Sequence, residues 1–425
     1  MSDRGSHLID SPAAWARLAV SVLLMTIGSS GMYLVVVVLP EVQAEFGAGR
    51  GEASLPYTVT MLGFGVGGLI FGRLVDRVGA APSAIAGAVL LAAGYALAGL
   101  APTLTLFAAA QAVLIGVGSS ATFAPIVAEI SLWFARRRGI AVAICASGNY
   151  LAGAVWPPVI RYFIDDHGWR DTYLGVAVFS VCAMVPLALA LRRRPPLQPA
   201  AAPAVAGAAL VPAVDPQRPL GLSPTALMVL LSVAGVACCM AMSMPQVHIV
   251  AYCTDLGFGP ARGAQMLSLM LAFGVVSRLV SGLICDRIGG LRTLLLGSTL
   301  QALALLLFLP FDGLASLYVV SALFGLVQGG IVPAYAIIVR ELFPPQRAAT
   351  LVSIVITATL VGMALGGWLS GVIFDLTGSY DAAFVHGVAW NALNIAIAVW
   401  LIARSRGSRR PGAGAQGAVA ARSNA

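Results

Sequence analysis

One arginine in this chain lies in the middle of an apolar stretch, where a permanent charge requires an explanation. Arg278 stands in LSLMLAFGVVSRLVSGLICDRIGG, eight residues before Asp286. In a helix this spacing puts the arginine ~12 Å from the charged end, near the middle of a hydrocarbon core whose half-thickness is ~15 Å. An arginine there costs about 2.5–3.5 kcal/mol on insertion scales. We therefore expect Arg278 to face a cavity and a partner.

A second charged feature occurs twice in the chain. GRLVDRVG contains Asp76 and Arg77, and GLICDRIG contains Asp286 and Arg287, 210 residues later. The segments IDDHGWRD and FDLTGSYD are separated by the same offset. A constant offset predicts the duplication of a six-helix unit. The Asp–Arg pairs either mark helix ends or bond to a neighbouring helix, which the flanking glycines would allow to approach closely.

The duplication does not extend to the central arginine, because the position 210 residues before Arg278 is Gly68. The fold itself therefore does not require this charge. A guanidinium group stays charged at any physiological pH and can hold a carboxylate through two parallel hydrogen bonds. The pattern favours a binding site for an organic anion. The alternative is an internal ion pair with Glu129, the other candidate acid within an apolar stretch.

Composition identifies the elements that must position these groups. The 425-residue chain is 59% hydrophobic and 10% charged, whereas soluble domains carry about 25% charged residues. Twelve apolar stretches could each cross a hydrocarbon core ~30 Å thick. They lie approximately at 17–40, 54–73, 82–101, 104–132, 139–162, 170–191, 224–252, 263–285, 291–310, 314–339, 349–374 and 382–403. We predict an all-α integral membrane protein with twelve transmembrane helices in two pseudo-symmetric six-helix bundles.

The distribution of charge predicts the topology. All 25 basic residues are arginine, and 20 of them lie near the termini or in alternate loops. The opposite loops hold four arginines and ten of the 17 acidic residues. The positive-inside rule therefore predicts a multi-pass protein with both termini in the cytoplasm. The net charge of +8 follows from these loop ends and does not indicate a nucleic-acid partner.

The predicted spans and the composition between them divide the chain into five segments. The stretch between the halves is rich in Pro and Ala, and the C-terminal stretch is rich in Gly and Arg. We predict a cytoplasmic N-terminal segment at 1–16, a six-helix bundle at 17–191, a cytoplasmic linker at 192–222, a second six-helix bundle at 223–404 and a disordered cytoplasmic tail at 405–425. The six cysteines lack CxxC spacing and read as small apolar fillers, so no metal site is expected.

The twelve helices in two sets of six, the long linker and the twin G-x-x-x-D-R-x-G motif resemble the major facilitator superfamily. Within it, WFARRRGIAVAICASGNYLAG and SRLVSGLICDRIG are similar to the monocarboxylate transporter family and its bacterial relatives, and the chain also resembles oxalate/formate exchangers. The resemblance implies the major facilitator fold and alternating access. It also implies that Asp76, Arg77, Asp286 and Arg287 form a cytoplasmic gate, and that Arg278 is the ligand of the substrate anion.

The chain departs from these relatives at charged positions. Animal monocarboxylate carriers have an acid one turn before the arginine, where this chain has Gly274, and a lysine in helix 1, where this chain has none. Oxalate/formate exchangers use a lysine in helix 11, and helix 11 here has no cation. A single intramembrane cation suits a monoanion. The proton route stays open between Glu129, His248 and Asp255.

Other polar residues within the spans could complete the cavity. In the superfamily that this chain resembles, helices 1, 4, 5, 7, 8, 10 and 11 line the cavity. On that basis we expect Asn149, Tyr150, His248 and Tyr335 to join Arg278 in binding the substrate. Any one of them, taken alone, is more often a helix–helix hydrogen bond than a ligand. His248 is the side chain that titrates nearest to physiological pH.

These observations predict a secondary active transporter of a small monocarboxylate. We expect proton-coupled uptake by a monomer in a bacterial inner membrane. One alternative is an exporter of organic anions or amphipathic compounds, which would not need Arg278. A non-transporting membrane sensor is another, although sensors usually carry a soluble output domain. An enzyme is not expected, because no nucleophile elbow, phosphate-binding loop or metal-spaced His/Cys cluster occurs, and no cofactor is expected either.

Overall fold

The computed structural model describes residues 9–193 and 219–407. Every regular element within these two ranges is a helix. Most of the predicted linker at 192–222 and most of the predicted tail at 405–425 lie outside the described residues. The domain boundaries in those regions therefore stay predictions.

The first half contains eleven α-helices and one π-helix among its described residues. Three of the membrane spans in this half are interrupted, so each of them consists of two or more of these helices. The elements are α1 (Pro12–Gly28), α2 (Gly31–Val37), α3 (Leu39–Phe46), α4 (Arg50–Val78), α5 (Ala80–Gly99), α6 (Leu104–Ala110), the π-helix (Gln111–Gly116), α7 (Val117–Ser120), α8 (Ala124–Trp133), α9 (Arg138–Ala146), α10 (Gly148–His167) and α11 (Trp169–Ala190).

The second half begins with a 3₁₀ turn at Pro219–Gly221 and continues with longer helices. Ser223 caps the first of them through its hydroxyl oxygen, which accepts the N–H of Ala226 at 3.2 Å. The elements are α12 (Pro224–Asp255), α13 (Pro260–Ile288), α14 (Gly290–Leu307), α15 (Leu314–Gln328), α16 (Ile331–Leu342), α17 (Pro345–Thr377) and α18 (Asp381–Gly407).

Twelve stretches of the described chain are long and apolar enough to cross a membrane, which confirms the predicted number of spans. We number them in chain order. Spans 1 to 6 are α1–α2, α4, α5, α6–α8 with the π-helix, α9–α10 and α11, and spans 7 to 12 are α12, α13, α14, α15–α16, α17 and α18.

The two helices that carry the Asp–Arg motifs have matching dimensions. Helices α4 and α13 each contain 29 residues, and both extend beyond the predicted apolar stretches at 54–73 and 263–285. Hydropathy misses their ends because charged residues there are solvated at the interface. Each helix is followed by a glycine with positive φ, Gly79 at +90° and Gly289 at +83°. Glycine adopts this conformation without the steric cost that other residues meet.

Short breaks of one to three residues interrupt several spans near their middle. Span 1 breaks at residues 29–30, span 4 at 121–123, span 5 at 147 and span 10 at 329–330. At the breaks the regular helical hydrogen-bond pattern is interrupted. Some carbonyl groups accept N–H groups at shorter spacing, as Ile27 does from Ser30, and those of Ala146 and Gly329 face a side chain of another helix. The breaks therefore place acceptor oxygens inside the protein.

The two halves meet along two seams. Span 2 packs against span 11, which we call the 2–11 seam, and span 5 packs against span 8, which we call the 5–8 seam. In the 2–11 seam the backbones come very close, because a Cβ atom on Gly371 would lie 2.7 Å from the carbonyl oxygen of Arg50. We name the membrane face at which α4 begins the Arg50 side, and the opposite face, which carries the Asp–Arg motifs, the motif side.

Candidate functional site

A cavity of about 340 Å³ lies between the two halves. Spans 1, 2, 4, 5, 7, 8, 10 and 11 contribute to its walls, and most of the lining side chains are apolar. The polar side chains in the described part of the lining are Tyr33, Tyr57, Asn149, Tyr150, Gln246, Arg278, Ser353, Thr357 and Thr359. Among these described lining residues, Arg278 alone is charged.

Arg278 reaches from span 8 to helix breaks in both halves. Its Nη1 donates to the carbonyl oxygen of Ala146, the last residue of α9, at 2.9 Å. Its Nε points to the carbonyl oxygen of Gly329, directly after α15, at 3.5 Å. Both acceptors belong to helix C-termini, where carbonyl groups lack partners and carry partial negative charge. The carbonyl groups at the two helix breaks therefore stabilise the Arg278 guanidinium through their partial negative charges.

The guanidinium group also stacks on an aromatic ring of the other half. The Cζ atom of Arg278 lies 4.3 Å from the centroid of the Tyr150 ring. This ring occupies the space beside Gly274, because a Cβ atom there would lie 2.5 Å from Tyr150 Cδ1. The position that carries an acid in animal monocarboxylate carriers is thus closed to any side chain while Tyr150 holds this place. Among the side chains that the structure describes, no carboxylate pairs with Arg278.

Two amide side chains add hydrogen-bonding groups to the cavity wall. Asn149 accepts the hydroxyl of Tyr33 at 3.2 Å, across spans 5 and 1. Gln246 in span 7 donates to the side-chain oxygen of Gln328 in span 10 at 2.8 Å. Of the residues predicted to bind substrate, the structure therefore brings Arg278, Asn149 and Tyr150 to one cavity. Sequence reasoning gave no weight to Tyr57 in span 2, since nothing in an apolar helix identified its cavity-facing side.

Two predicted ligands lie elsewhere. His248 is fully buried, with Nδ1 3.1 Å from the Tyr380 hydroxyl and Nε2 2.7 Å from the carbonyl oxygen of Gly367. Tyr335 is fully buried and donates to the side-chain oxygen of Asn394 at 2.8 Å. Both face helices of their own half, and both are absent from the described cavity lining. We correct the expectation that His248 and Tyr335 face the substrate.

The alternative partner of the central arginine is also elsewhere. Glu129 forms a buried ion pair with Arg17, which further donates to the carbonyl oxygen of Leu191 at 2.8 Å. The guanidinium of Arg17 lies over the Trp133 ring, 4.5 Å from its centroid. The pair ties spans 1, 4 and 6 together within the first half. The hypothesis that Glu129 neutralises Arg278 is therefore wrong.

On the Arg50 side, charged groups join the two halves. Nη2 of Arg50, in the first half, lies 2.9 Å and 3.0 Å from the two carboxylate oxygens of Asp255, in the second. Asp375 accepts the backbone N–H groups of Arg50 and Gly51, both at 2.7 Å. A carboxylate of span 11 thus caps the N-terminus of α4, where the helix dipole favours negative charge.

Aromatic groups surround this cluster. The Arg50 guanidinium lies 4.9 Å from the centroid of the Phe374 ring and 5.9 Å from that of Tyr380. Burial raises the pKa of Tyr380, so its hydroxyl stays neutral beside the charges. We call Arg50, Asp255, Asp375 and Tyr380 the Arg50 cluster. The sequence named only Asp255 among them, as a candidate for the proton route, and did not predict the cluster. The available signal was Arg50 itself, one of four arginines in loops rich in acids.

On the motif side, the described charged side chains of the twin motifs are exposed. Asp286 and Arg287 are exposed at the end of α13, and Arg77 is exposed at the end of α4. In the described part of the chain, none of these three residues forms an ion pair. The backbone of Asp76 lies in α4, and its side chain is outside the described structure. The predicted gate role of the four motif residues stays a prediction.

No three His, Cys, Asp or Glu side chains come together to form a metal site within the described ranges. All six cysteines are free, and five of them are buried. The chemistry that the cavity offers is therefore the recognition of a ligand by one cation, several hydroxyl and amide groups and a largely apolar wall.

Comparison with known proteins agrees with this architecture. The family model described as Major Facilitator Superfamily matches residues 20–318 and 267–424. Monocarboxylate transporter 13 from Bos taurus is 29% identical over 336 residues, covering 78% of this chain and 75% of the relative. The MFS-type transporter pynF from Aspergillus niger is 25% identical over 284 residues, covering 66% and 62%. The structure of a bacterial homolog to the human lysosomal transporter Spinster superposes with a TM-score of 0.69 at 14% identity, covering 93% and 97%.

Proposed function

The chain belongs to the major facilitator superfamily and is a membrane transporter, and from this premise we propose that it carries a small organic monocarboxylate by alternating access. The observation that supports this substrate class most directly is Arg278. It is a permanent cation at a cavity between the halves, and no acidic side chain of the described lining balances it. Its contacts with carbonyl oxygens leave guanidinium N–H groups for a carboxylate.

The charge of the cavity favours a monoanion. One guanidinium can satisfy one carboxylate through two hydrogen bonds. A second carboxylate would lie against apolar walls without a partner, and burying an unpaired charge is strongly unfavourable. Tyr33, Tyr57 and Asn149 supply neutral donors and acceptors for a keto or hydroxyl group.

Alternating access follows from the contrast between the two sides. The Arg50 cluster closes the space between the halves on the Arg50 side. Val352 and Ser353, near the start of α17, line the cavity toward the motif side. The arginine-rich loops favour a cytoplasmic motif side, and on this basis we propose that the described state faces inward. The twin Asp–Arg motifs would close the cytoplasmic side in the opposite state.

We further propose that uptake is coupled to protons through the Arg50 cluster. Of the three candidates, Glu129 is buried and pairs with Arg17 inside the first half, and both ring nitrogens of the buried His248 have partners inside the second half. Asp255 is 34% exposed, so protons from outside can reach it, and it bridges the halves. Protonation of Asp255 would remove its charge from the contact with Arg50 and weaken the closed Arg50 side.

The experiment that tests the substrate class is a comparison of Arg278→Lys and Arg278→Ala in purified protein. Lysine keeps the charge but cannot present two coplanar donors. Losing one charge-assisted hydrogen bond costs about 1.5–3 kcal/mol, so we expect Arg278→Lys to raise the Kd of a monocarboxylate by roughly ten- to a hundredfold. Arg262→Lys, at an exposed arginine in the first turn of α13, is the control. Near-normal binding by Arg278→Lys would overturn the proposal.

An exporter of amphipathic compounds is the second candidate, and the apolar cavity wall favours it. The same variants separate the two functions. An amphipathic cargo without a carboxylate would be transported normally by Arg278→Ala, because its binding would rest on the methionine and aromatic walls. Loss of transport in that variant supports the monocarboxylate.

A further inference from the structure

Arg278 has a structural counterpart at the same cavity. Helix α4 begins at Arg50 and α13 begins at Pro260, and each contains 29 residues. Gly68 and Arg278 therefore occupy the same position in the two copies of the duplicated unit, and both line the cavity. One half contributes a long cationic side chain at this position, and the other half contributes no side chain.

Helix packing does not explain why this residue is glycine. A Cβ atom on Gly68 would meet no atom within 4 Å. Its neighbour Gly67 is different, because a Cβ atom there would lie 2.7 Å from the Cα atom of Val117 in span 4. Gly68 has ordinary helical geometry in the middle of α4. Since glycine weakens a helix interior relative to alanine, the open space at Gly68 points to a role in the cavity.

We propose that Gly68 sets the size limit of the substrate, which carries its carboxylate at Arg278 and extends an apolar body into the space beside Gly68. This inference rests on the proposed binding of a monocarboxylate at Arg278. It makes Gly68 a specificity-determining residue. The preferred substrates are amphipathic acids with a straight-chain or aromatic body, in preference to two- or three-carbon acids.

The dimensions and walls of the cavity support this size class. Its volume of about 340 Å³ lies in the range of roughly 300–1,000 Å³ that is typical of small-molecule sites. A three-carbon acid would leave much of this space to water against apolar walls. Four methionines line the cavity, Met32, Met61, Met242 and Met363. Their flexible side chains can adapt to bodies of different shape.

The open space at Gly68 allows a sharp test. In the purified wild-type protein, the Kd values of butyrate, hexanoate, octanoate and 3-phenylpropanoate should fall by about fourfold for each buried methylene. Gly68→Leu should raise the Kd of octanoate and of 3-phenylpropanoate by at least tenfold, because the new side chain fills the space of three to four methylenes. The Kd of butyrate should stay within about twofold of the wild-type value. Gly68→Ala should give a smaller shift of the same kind.

Gly175 in α11 supplies the matched control. A Cβ atom there also meets nothing within 4 Å, but Gly175 does not line the cavity. Gly175→Leu should therefore leave all four Kd values unchanged. Thermal unfolding of Gly68→Leu verifies that it folds, and if it does not, the ratio of octanoate to butyrate affinity in Gly68→Ala decides.

The outcomes separate this inference from the proposed function. If Gly68→Leu raises the Kd of all four acids by the same factor, or leaves the affinity for octanoate unchanged, Gly68 does not set a size limit. If the acids bind Arg278→Ala as tightly as wild type, the carboxylate site fails, whereas the chain-length ratio still reports on Gly68. A chain-length-dependent loss in Gly68→Leu together with a uniform loss in Arg278→Ala supports both.

Discussion

The two seams between the halves are copies of one arrangement, yet charge closes only one of them. In the 2–11 seam, the carboxylate of Asp375 accepts the N–H groups of Arg50 and Gly51 at the start of α4. The equivalent positions in the 5–8 seam are Asp165 and Pro260, each 210 residues from its counterpart. Proline has no N–H group to donate. The second seam therefore lacks one of the two donors that the first one uses, while Ala261, the counterpart of Gly51, keeps its N–H group.

The acid of the 5–8 seam has another partner. Asp165 accepts Nε of Arg161, four residues earlier in α10, at 2.9 Å, and its side chain is 54% exposed. A pair of this type within one helix contributes little, about 0.3–0.5 kcal/mol. The polar contacts between the halves in this seam are made elsewhere: the Ser268 hydroxyl donates to the carbonyl oxygen of Ala154, and at the cavity Arg278 donates to that of Ala146.

This contrast shows where the function of a duplicated protein resides. The duplication reproduces the backbone, including the length of the second helix in each half. The functional differences lie at positions where the copies carry different side chains. One such pair is Arg50 in the first half and Pro260 in the second, and charge closes only the seam that contains Arg50. Another pair is Gly68 and Arg278, of which Arg278 forms the charged end of the cavity and Gly68 leaves open space.

The largest effect is expected from removing the charge that distinguishes the 2–11 seam. Breaking a buried ion pair costs about 3–5 kcal/mol, and solvent at Asp255, which is 34% exposed, reduces this to roughly 2 kcal/mol. Arg50→Ala should therefore shift the equilibrium by about thirtyfold toward opening on the Arg50 side. Cys239 lines the same cavity as Gln246, so the reporter is Gln246→Cys in a Cys239→Ala background. In sealed vesicles, an impermeant thiol reagent applied to the Arg50 side should label this reporter at least ten times faster when Arg50→Ala is added.

The control for this measurement is Arg262→Ala, which removes an exposed arginine from the same side. The Arg262 side chain donates to Gln265 on its own helix and makes no described contact with the other half. Its labelling rate should match that of the reporter alone. If Arg50→Ala labels no faster than this control, the Arg50 cluster does not hold the halves together.

The next effect concerns the opposite side of the membrane. Asp286 is exposed and has no ion-pair partner in the described structure, so Asp286→Asn should leave substrate binding to this state within about twofold. If the motif closes the cytoplasmic gate in the other state, the variant should transport about tenfold more slowly, a loss of roughly 1.4 kcal/mol. Uptake rates and Kd values measured together decide, and normal transport would contradict the gate role.

Features that depend on the pattern of apolar and charged residues along the chain were predictable from the sequence. Hydropathy located the twelve spans, and a charge near the middle of span 8 correctly placed Arg278 at a cavity. The Arg50 cluster was not predictable in the same way, because Arg50 and Asp375 are 325 residues apart in the chain. The offset between copies showed Asp375 as part of a repeat, but not that it accepts N–H groups from the other half.

The placement of polar residues on a helix was the least predictable property. His248 and Gln246 lie two residues apart in span 7, and only Gln246 lines the cavity. In an apolar helix that is buried on several sides, the sequence pattern does not show which side faces the other half. Glu129 was misplaced for a related reason, since its partner Arg17 was counted with the terminal charges.

A smaller effect is expected from a charge cluster that lies within one half. Glu45 accepts Nε1 of Trp169 at 2.6 Å and Nε of Arg170 at 2.9 Å. Burial acts to raise the pKa of Glu45, but the hydrogen bonds from Arg170 and Trp169 outweigh it, and the pKa is lowered. The stabilisation is therefore present above the usual glutamate value of about 4.3 and is lost as the pH falls through the lowered pKa.

Because this cluster is partly exposed, we expect Glu45→Gln to destabilise the protein by about 0.5–1 kcal/mol at pH 7. The difference in Tm between variant and wild type should shrink below about pH 4. Labelling of the Gln246→Cys reporter should not change, since Glu45 makes its described contacts within the first half. A change in labelling would show that contacts within a half also determine which side is open.

The smallest effect is expected at Pro260, where the two seams differ by one N–H group. Pro260→Ala restores the donor that Arg50 supplies in the other copy. Asp165, the acid at the corresponding place, is exposed and engaged by Arg161, so a new N–H would find water as readily as this carboxylate. We expect uptake within about twofold of wild type and a stability change below about 0.5 kcal/mol. A larger fall in the uptake rate would mean that the 5–8 seam closes once it regains a donor, and that the asymmetry between the seams depends on the proline alone.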